Sequence, residues 1–154
     1  MEPRISSPAL TLPGVMDALQ TLARRTYHAA DQAGLPKTTL ELVNLRASQI
    51  NGCDVCVEIH ARDLKRSGES DERIWAVAAW RDMPFFTEAE RAALALTEAV
   101  TRLSDQDDPV PDEVFDGAAK HFDESALASL ILHIALINAF NRLNAATKQV
   151  AVPW

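Results

Sequence analysis

The sequence predicts an all-α, single-domain helical bundle of about seven helices. Apolar residues recur at helical spacings along most of the chain. Ser, Thr or Asp stands before several of these stripes, in two places with Glu three residues on. With five Gly and one Tyr, the chain has little strand or hairpin vocabulary. Its 154 residues suit one domain over 1–154, long enough to bury a core without a covalent staple.

Residues 1–11, with Pro3 and Pro8, read as an extended arm. Pro13 opens the first predicted helix, because proline is tolerated at a first helical position. Val15, Met16, Leu19, Leu22 and Ala23 give its stripe, and Gly34 with Pro36 ends it. The second helix is predicted from Thr38, where Thr38-Thr39-Leu40-Glu41 fits a capping box. Leu40, Val43, Ala47 and Ile50 are its stripe, and Asn51-Gly52 breaks it. A helix then starts near Cys53 and ends at Ser67-Gly68. Ser70-Asp71-Glu72 caps the next, which carries Ile74, Trp75, Val77 and Trp80. Thr87-Glu88-Ala89-Glu90 is a second capping box, ahead of a stripe from Ala92 to Leu103. Asp105 to Pro111 is an acidic loop, and Pro111 to His121 a short helix. Asp123 caps a last helix to about Ala146, followed by a tail ending in Pro153-Trp154.

The segment Ala126 to Phe140 is apolar on nearly every face, so it should be buried on nearly every face. A subunit interface is one way to achieve this, which predicts a homo-oligomer. The run is shorter than the roughly 20 residues of a membrane span. The formal net charge of −7 offers no footprint for a phosphate backbone or an anionic lipid surface. Nucleic acid and membrane are therefore not expected partners. Met1-Glu2-Pro3-Arg4 lacks the basic-then-apolar layout of a secretory signal, and a cytoplasmic location is expected.

The chain's two cysteines lie in one stretch, Asn51-Gly52-Cys53-Asp54-Val55-Cys56-Val57-Glu58-Ile59-His60. In a helix, Cys53 and Cys56 are i,i+3 and Cys56 and His60 are i,i+4, so all three share one face. A thiol reacts as thiolate, favoured by a helix N-terminus or a neighbouring cation. One cysteine can be oxidised to sulfenic acid and the other condense with it, while His60 moves the proton. Two other readings are inert packing and a Cys2His metal site with a fourth ligand from elsewhere. His28, His121 and His133 show no ligand spacing, and the paired knuckles of structural zinc sites are absent. No metal or cofactor is expected.

If residues 38–50 and 53–67 form an antiparallel pair hinged at Asn51-Gly52, Glu41 faces the region of His60. A carboxylate there can orient the imidazole; the capping box is an equally complete account of it. Trp75 and Trp80 read as core, with pocket lining as the alternative. His133 reads as a hydrogen-bonded core residue. Asn138, Asn141 and Arg142 read as a polar network or an interface.

Glu41, Cys53, Cys56 and His60 reproduce the Glu-x11-Cys-x2-Cys-x3-His pattern of the alkylhydroperoxidase D (AhpD)-like members of the carboxymuconolactone decarboxylase-like superfamily. Leu45 to Gly52, Gly68, Glu90 to Leu94 and Ile137 to Leu143 resemble the family's flanking segments. The resemblance covers 38–146. It implies an all-helical subunit in trimers or hexamers, and a CxxC-dependent oxidoreductase with peroxidase activity on hydroperoxides, regenerated by an external dithiol. It also implies roles: Cys56 becomes the sulfenic acid, Cys53 donates a proton and closes the disulfide, and Glu41 and His60 relay protons. Peroxidase members carry a second His between the cysteines. Here Asp54 and Val55 stand there, which predicts a less readily formed thiolate. The namesake decarboxylases lack the CxxC, so decarboxylation is not expected. The other readings of the pair are a redox-responsive assembly module and a general thiol-disulfide oxidoreductase.

Overall fold

The computed structural model describes residues 2–105 and 107–151. Among them are eight α-helices, two 3-10 segments and no strand. The order is α1 (Pro8–Thr11), α2 (Val15–Gln32), α3 (Lys37–Asn51), α4 (Asp54–Arg66), α5 (Asp71–Ala76), α6 (Glu88–Thr101), α7 (Asp112–Ala119) and α8 (Glu124–Thr147). The 3-10 segments are Val77–Asp82 and Leu103–Asp105. The extra helix relative to the expected seven is α1, in the predicted arm, with Pro8 in its first turn. The arm is also docked: Arg4 N–H donates to Thr147 O at 2.9 Å and Gln149 Nε2 to Ile5 O at 2.9 Å. Pro13 does not open a helix; α2 starts at Val15 after Gly14. The Pro153-Trp154 tail lies outside the described residues.

Helix α3 is the centre of the bundle and packs on α4, α6 and α8. Leu40, Leu42, Val43, Leu45 and Ala47 are all buried, on more than one face of the helix. One core joins α2, α3, α6, α7 and α8 through Ala30, Leu40, Leu96, Ala118, Leu130 and Ile134. A second joins α3 to α4, α5 and α6 through Leu42, Leu45, Leu64, Ile74 and Leu94. Each fully buried leucine contributes about 1.5–3 kcal/mol of transfer free energy. Three sequence caps are present: Ser70 accepts from Arg73 N–H, Asp123 accepts from Ala126 N–H, and Thr87 forms a complete box with Glu90.

The box at Thr38 is absent. Helix α3 begins at Lys37 after Pro36, with no side-chain cap, and Glu41 is turned to other partners. The tryptophans divide: Trp80 is buried, whereas Trp75 is 73% exposed and neither core nor pocket lining. Trp80 Nε1 donates to Glu98 at 2.9 Å. The Glu98 carboxylate, buried on α6, also takes Arg46 at 2.6 Å and Arg81 at 2.6 Å. It thereby ties α3, α6 and the first 3-10 segment together.

Helix α8 is longer than the apolar run suggested. It is the one helix among the described residues with the length and composition of a membrane span. Burial against α2, α3 and α6, not length, marks it as a core helix. It is not covered on every face: Leu132 is 45% exposed, with Ala128, Ala135 and Ala139 exposed along the same side.

Candidate active site

The hinge that sets the site is Gly52. Its φ of 63° and ψ of 34° lie in the left-handed region and close α3, a conformation that costs a residue with a Cβ roughly 1–2 kcal/mol. Cys53 N–H then returns to Ser48 O at 3.0 Å. The turn folds α4 back along α3 as an antiparallel pair, with Cys53 as N-cap and Cys56 in the first turn of α4. Asn51 beside the hinge is anchored to α8. Its Nδ2 donates to Asn138 Oδ1 and Asn141 Oδ1, each at 2.9 Å. Asn141 Nδ2 in turn donates to Ser48 Oγ at 3.1 Å. The asparagines of α8 are thus a buried network bracing the turn that carries the thiols.

The structure brings all four sequence candidates together. Cys53 and Cys56 are free thiols, 1% and 3% exposed, with Cys53 Sγ donating to Cys56 Sγ at 2.6 Å. The Glu41 carboxylate meets His60 Nδ1 at 2.8 Å, across the helix pair. Burial alone would raise the Glu41 pKa; hydrogen bonds from His60, Tyr27 and Asn44 outweigh it and hold the carboxyl below its ordinary value. Cys56 and His60 line one cavity of about 260 Å³, otherwise walled mainly by Ile59, Leu136, Ile137 and Phe140. A larger cleft of about 500 Å³ lies at Tyr27, His28, Asp31 and Glu41, and its lining includes neither thiol.

Two of the residues holding this geometry had no sequence-based role. Tyr27 of α2 donates its hydroxyl to Glu41 Oε1 at 2.7 Å and accepts from Asn44 Nδ2 at 3.2 Å. Asn144 of α8 donates to Cys56 Sγ at 3.3 Å. The one available signal for Asn144 is its spacing, which continues Asn138 and Asn141 along the helix. Tyr27 gave no signal beyond being the chain's single tyrosine. His133 departs from expectation: it is buried, but neither ring nitrogen has a hydrogen-bond partner. Its contact is an edge-on arrangement with the Tyr27 ring, 4.7 Å between centroids and 84° between planes. Among the described residues no group of three His, Cys, Asp or Glu could hold a metal ion.

The two thiols are electrostatically unequal. The hydrogen bond from Cys53 is the largest influence on Cys56; burial opposes it, and Asn144, Asn141 and the charge of His60 assist. The Cys56 thiol is lowered from about 9 to about 6, while donation to Cys56 and burial raise that of Cys53. The missing inter-cysteine imidazole therefore does not leave Cys56 with a high pKa. Asp54 accepts from Val55 N–H at 2.9 Å at the exposed helix start. The alkylation rate of Cys56 by iodoacetamide should rise with pH about a midpoint near 6. In Cys53→Ala, which removes the principal donor, the midpoint should move upward. A midpoint unchanged by that substitution would contradict the assignment.

Known proteins resemble this chain in sequence and in fold. The sequence profile of the carboxymuconolactone decarboxylase family matches residues 13–99. The uncharacterized protein YdfG of Bacillus subtilis is 37% identical over 115 residues, covering 75% of this chain and 77% of that protein. Alkyl hydroperoxide reductase AhpD of Rhodospirillum centenum is 31% identical over 96 residues, 62% of this chain and 48% of the relative. The chain thus spans about half the length of that AhpD. Among solved structures, ATU0492 of Agrobacterium tumefaciens, a protein of unknown function described as a candidate AhpD antioxidant defence protein, superposes with a TM-score of 0.87. Its sequence is 29% identical, and the match covers 99% of this chain and 100% of that one.

Proposed function

Because the chain belongs to the carboxymuconolactone decarboxylase family, as an AhpD-like member, we propose that it is a thiol-dependent peroxidase reducing small organic hydroperoxides. One observation carries the reading: a low-pKa Cys56 touches a second thiol and shares a cavity with a histidine bound to a buried carboxylate. Cys56 thiolate attacks the distal peroxide oxygen, forming an S–O bond and breaking the O–O bond. Cys56 becomes the sulfenic acid, and the departing alkoxide takes the Cys53 proton to leave as an alcohol. Cys53 thiolate then attacks the sulfenic sulfur. The S–S bond forms, the S–O bond breaks, and the departing hydroxide is protonated through His60 and Glu41 to water. An external dithiol returns two electrons and two protons to the disulfide.

The depth of the thiols supports a small substrate over a folded protein disulfide, since only molecules that enter the cavity reach Cys56. The exposed stripe of Leu132, Ala128, Ala135 and Ala139 supports assembly into a homo-oligomer, and the order, trimer or hexamer, rests on the family resemblance. The test is consumption of cumene hydroperoxide by the reduced protein with dithiothreitol supplied. Turnover that continues until the dithiol is exhausted is expected. Consumption no faster than with dithiothreitol alone would sink the reading.

A further inference from the structure

An α-helix ends in four backbone carbonyls that have no partner within it. In α8 these belong to Asn144, Ala145, Ala146 and Thr147, and each of them is taken. The tail closes the first two: Gln149 N–H donates to Asn144 O at 3.0 Å and Lys148 N–H to Ala145 O at 3.2 Å. Arg4, from the other end of the chain, closes the second two. Its Nη1 donates to Ala146 O at 3.2 Å and its backbone N–H to Thr147 O at 2.9 Å. The guanidinium stands at the negative end of the helix dipole, where a cation is favoured.

Two further features bind this end. Gln149 Nε2 donates to Ile5 O and to Thr147 Oγ1, each at 2.9 Å, so tail and arm are joined to each other as well as to the helix. Lys148 makes the turn at φ 50° and ψ 50°. Among the described residues it is the one non-glycine with positive φ. A side chain with a Cβ stays in that region only where its surroundings impose it.

The closed end carries Asn144, whose Nδ2 donates to Cys56 Sγ at 3.3 Å while its carbonyl receives Gln149 N–H. The deeper asparagines of α8 have other anchors: Asn138 donates to Thr101 and Asn141 to Ser48. Among the described residues the Asn144 side chain makes one hydrogen bond, the one to Cys56, so it stands wherever the last turns of α8 put it. The groups about Cys56 are Cys53 and His60 of α4 and Asn141 and Asn144 of α8. Glu41 of α3 lies behind His60, and Tyr27, Asn44 and His133 line the same cavity. No residue of the arm lines it.

We propose that Arg4 is a positioning residue for Cys56: by closing the C-terminal end of α8 from the N-terminal arm, it holds Asn144 against the Cys56 sulfur. Opening the clasp lets the last turn of α8 fray, and the thiolate loses a donor. The two ends of the chain thereby set the reactivity of a thiol that neither of them touches.

The test is the pH dependence of Cys56 alkylation by iodoacetamide in the reduced protein, followed by mass spectrometry. Asn144→Ala should raise the midpoint by about half to one unit, the order of one hydrogen bond to a charged group. Arg4→Pro, which removes both donors of Arg4, should raise it by at least about 0.3 unit, a twofold loss of thiolate below the midpoint. Arg4→Lys keeps the N–H and a cation and should stay within about 0.1 unit of wild type. In the Asn144→Ala background Arg4→Pro should add less than about 0.1 unit, because two changes on one path are not additive. An unmoved midpoint in Arg4→Pro or in Asn144→Ala overturns the proposal. So does an Arg4→Pro shift of equal size in the Asn144→Ala background, which would mean that Arg4 acts by its charge or by general loosening. If Arg4→Pro does not fold, Gln149→Ala, which cuts the tie to Ile5, is put through the same cycle and decides. No hydroperoxide enters the measurement, so its outcome is independent of the peroxidase reading.

Discussion

Cys56→Ser is expected to lower dithiol-dependent hydroperoxide consumption by about a thousandfold or more. In the proposed cycle it removes the group whose thiolate makes the bond to oxygen, and a neutral hydroxyl is a far poorer nucleophile. Cys53→Ser should behave differently. With no dithiol present, Cys56 can still attack once, so one equivalent of hydroperoxide is consumed and the sulfenic acid accumulates. It is then trapped by dimedone in mass spectrometry. The first event should also be slower than in wild type, because Cys53 supplies the largest influence lowering the Cys56 pKa. The assignment turns on this asymmetry. If Cys53→Ser were the variant without a single turnover, and Cys56→Ser the one that accumulated sulfenic acid, the roles would be reversed. A simple helix-end argument favours Cys53; its position as N-cap, donating to the other sulfur, favours Cys56 instead.

Glu98→Ala should destabilise the fold by about 3–5 kcal/mol, the usual cost of removing one partner of a buried ion pair. Glu98 is 5% exposed, and its loss leaves the half-buried Arg46 guanidinium with only a 3.4 Å contact to Gln49 and the Trp80 Nε1–H without its acceptor. At about 2–4 °C per kcal/mol for a chain of this size, the melting temperature should fall by roughly 10 °C. The pH dependence should change with it. Burial raises the Glu98 pKa, but hydrogen bonds from Trp80, Arg81 and Arg46 prevail, so the folded carboxyl titrates below its ordinary value. Below about pH 5 the unfolded chain then binds a proton that the folded chain does not, and stability falls as pH falls. Glu41 and Glu90 contribute in the same direction. Removing Glu98 should make the acid slope of wild type shallower. A fall in melting temperature under about 2 °C, or an unchanged acid slope, would count against this account.

The local features of this chain were readable from its residues. The Asn51-Gly52 hinge, the caps at Ser70, Thr87 and Asp123, and the face shared by Cys53, Cys56 and His60 depend on residues a few positions apart. The antiparallel placement of Glu41 beside His60 followed because one tight turn joins their helices. The missed features were set by contacts distant in sequence. Tyr27 reaches Glu41 from α2, and Asn144 reaches Cys56 from α8, 88 positions away. Thr38 and Glu41 match a capping box in pattern, but Glu41 is drawn into the interior by His60 and Tyr27 and its helix starts without a cap. Trp75 carries an apolar side chain to the surface, a placement that composition does not distinguish from Trp80. The pairing of His133 depends on which groups α2 and α3 bring to α8, so its isolation is visible only in the folded chain.

Cys53 and Cys56 lie within a single helical turn, and that has a consequence for the whole domain. A cross-link stabilises a fold chiefly by shortening the unfolded chain's reach, and the gain grows with the length of loop it closes. A bridge closing a 100-residue loop is worth about 4.7 kcal/mol in the chain-entropy model, whereas one between positions three apart is worth only about 2 kcal/mol. A bridge at this position would therefore shift global stability by about 2 kcal/mol, less than half the effect of a long-range one. In the proposed cycle, a bridge over so short a loop lets the pair take up and return two electrons without tying distant parts of the chain together.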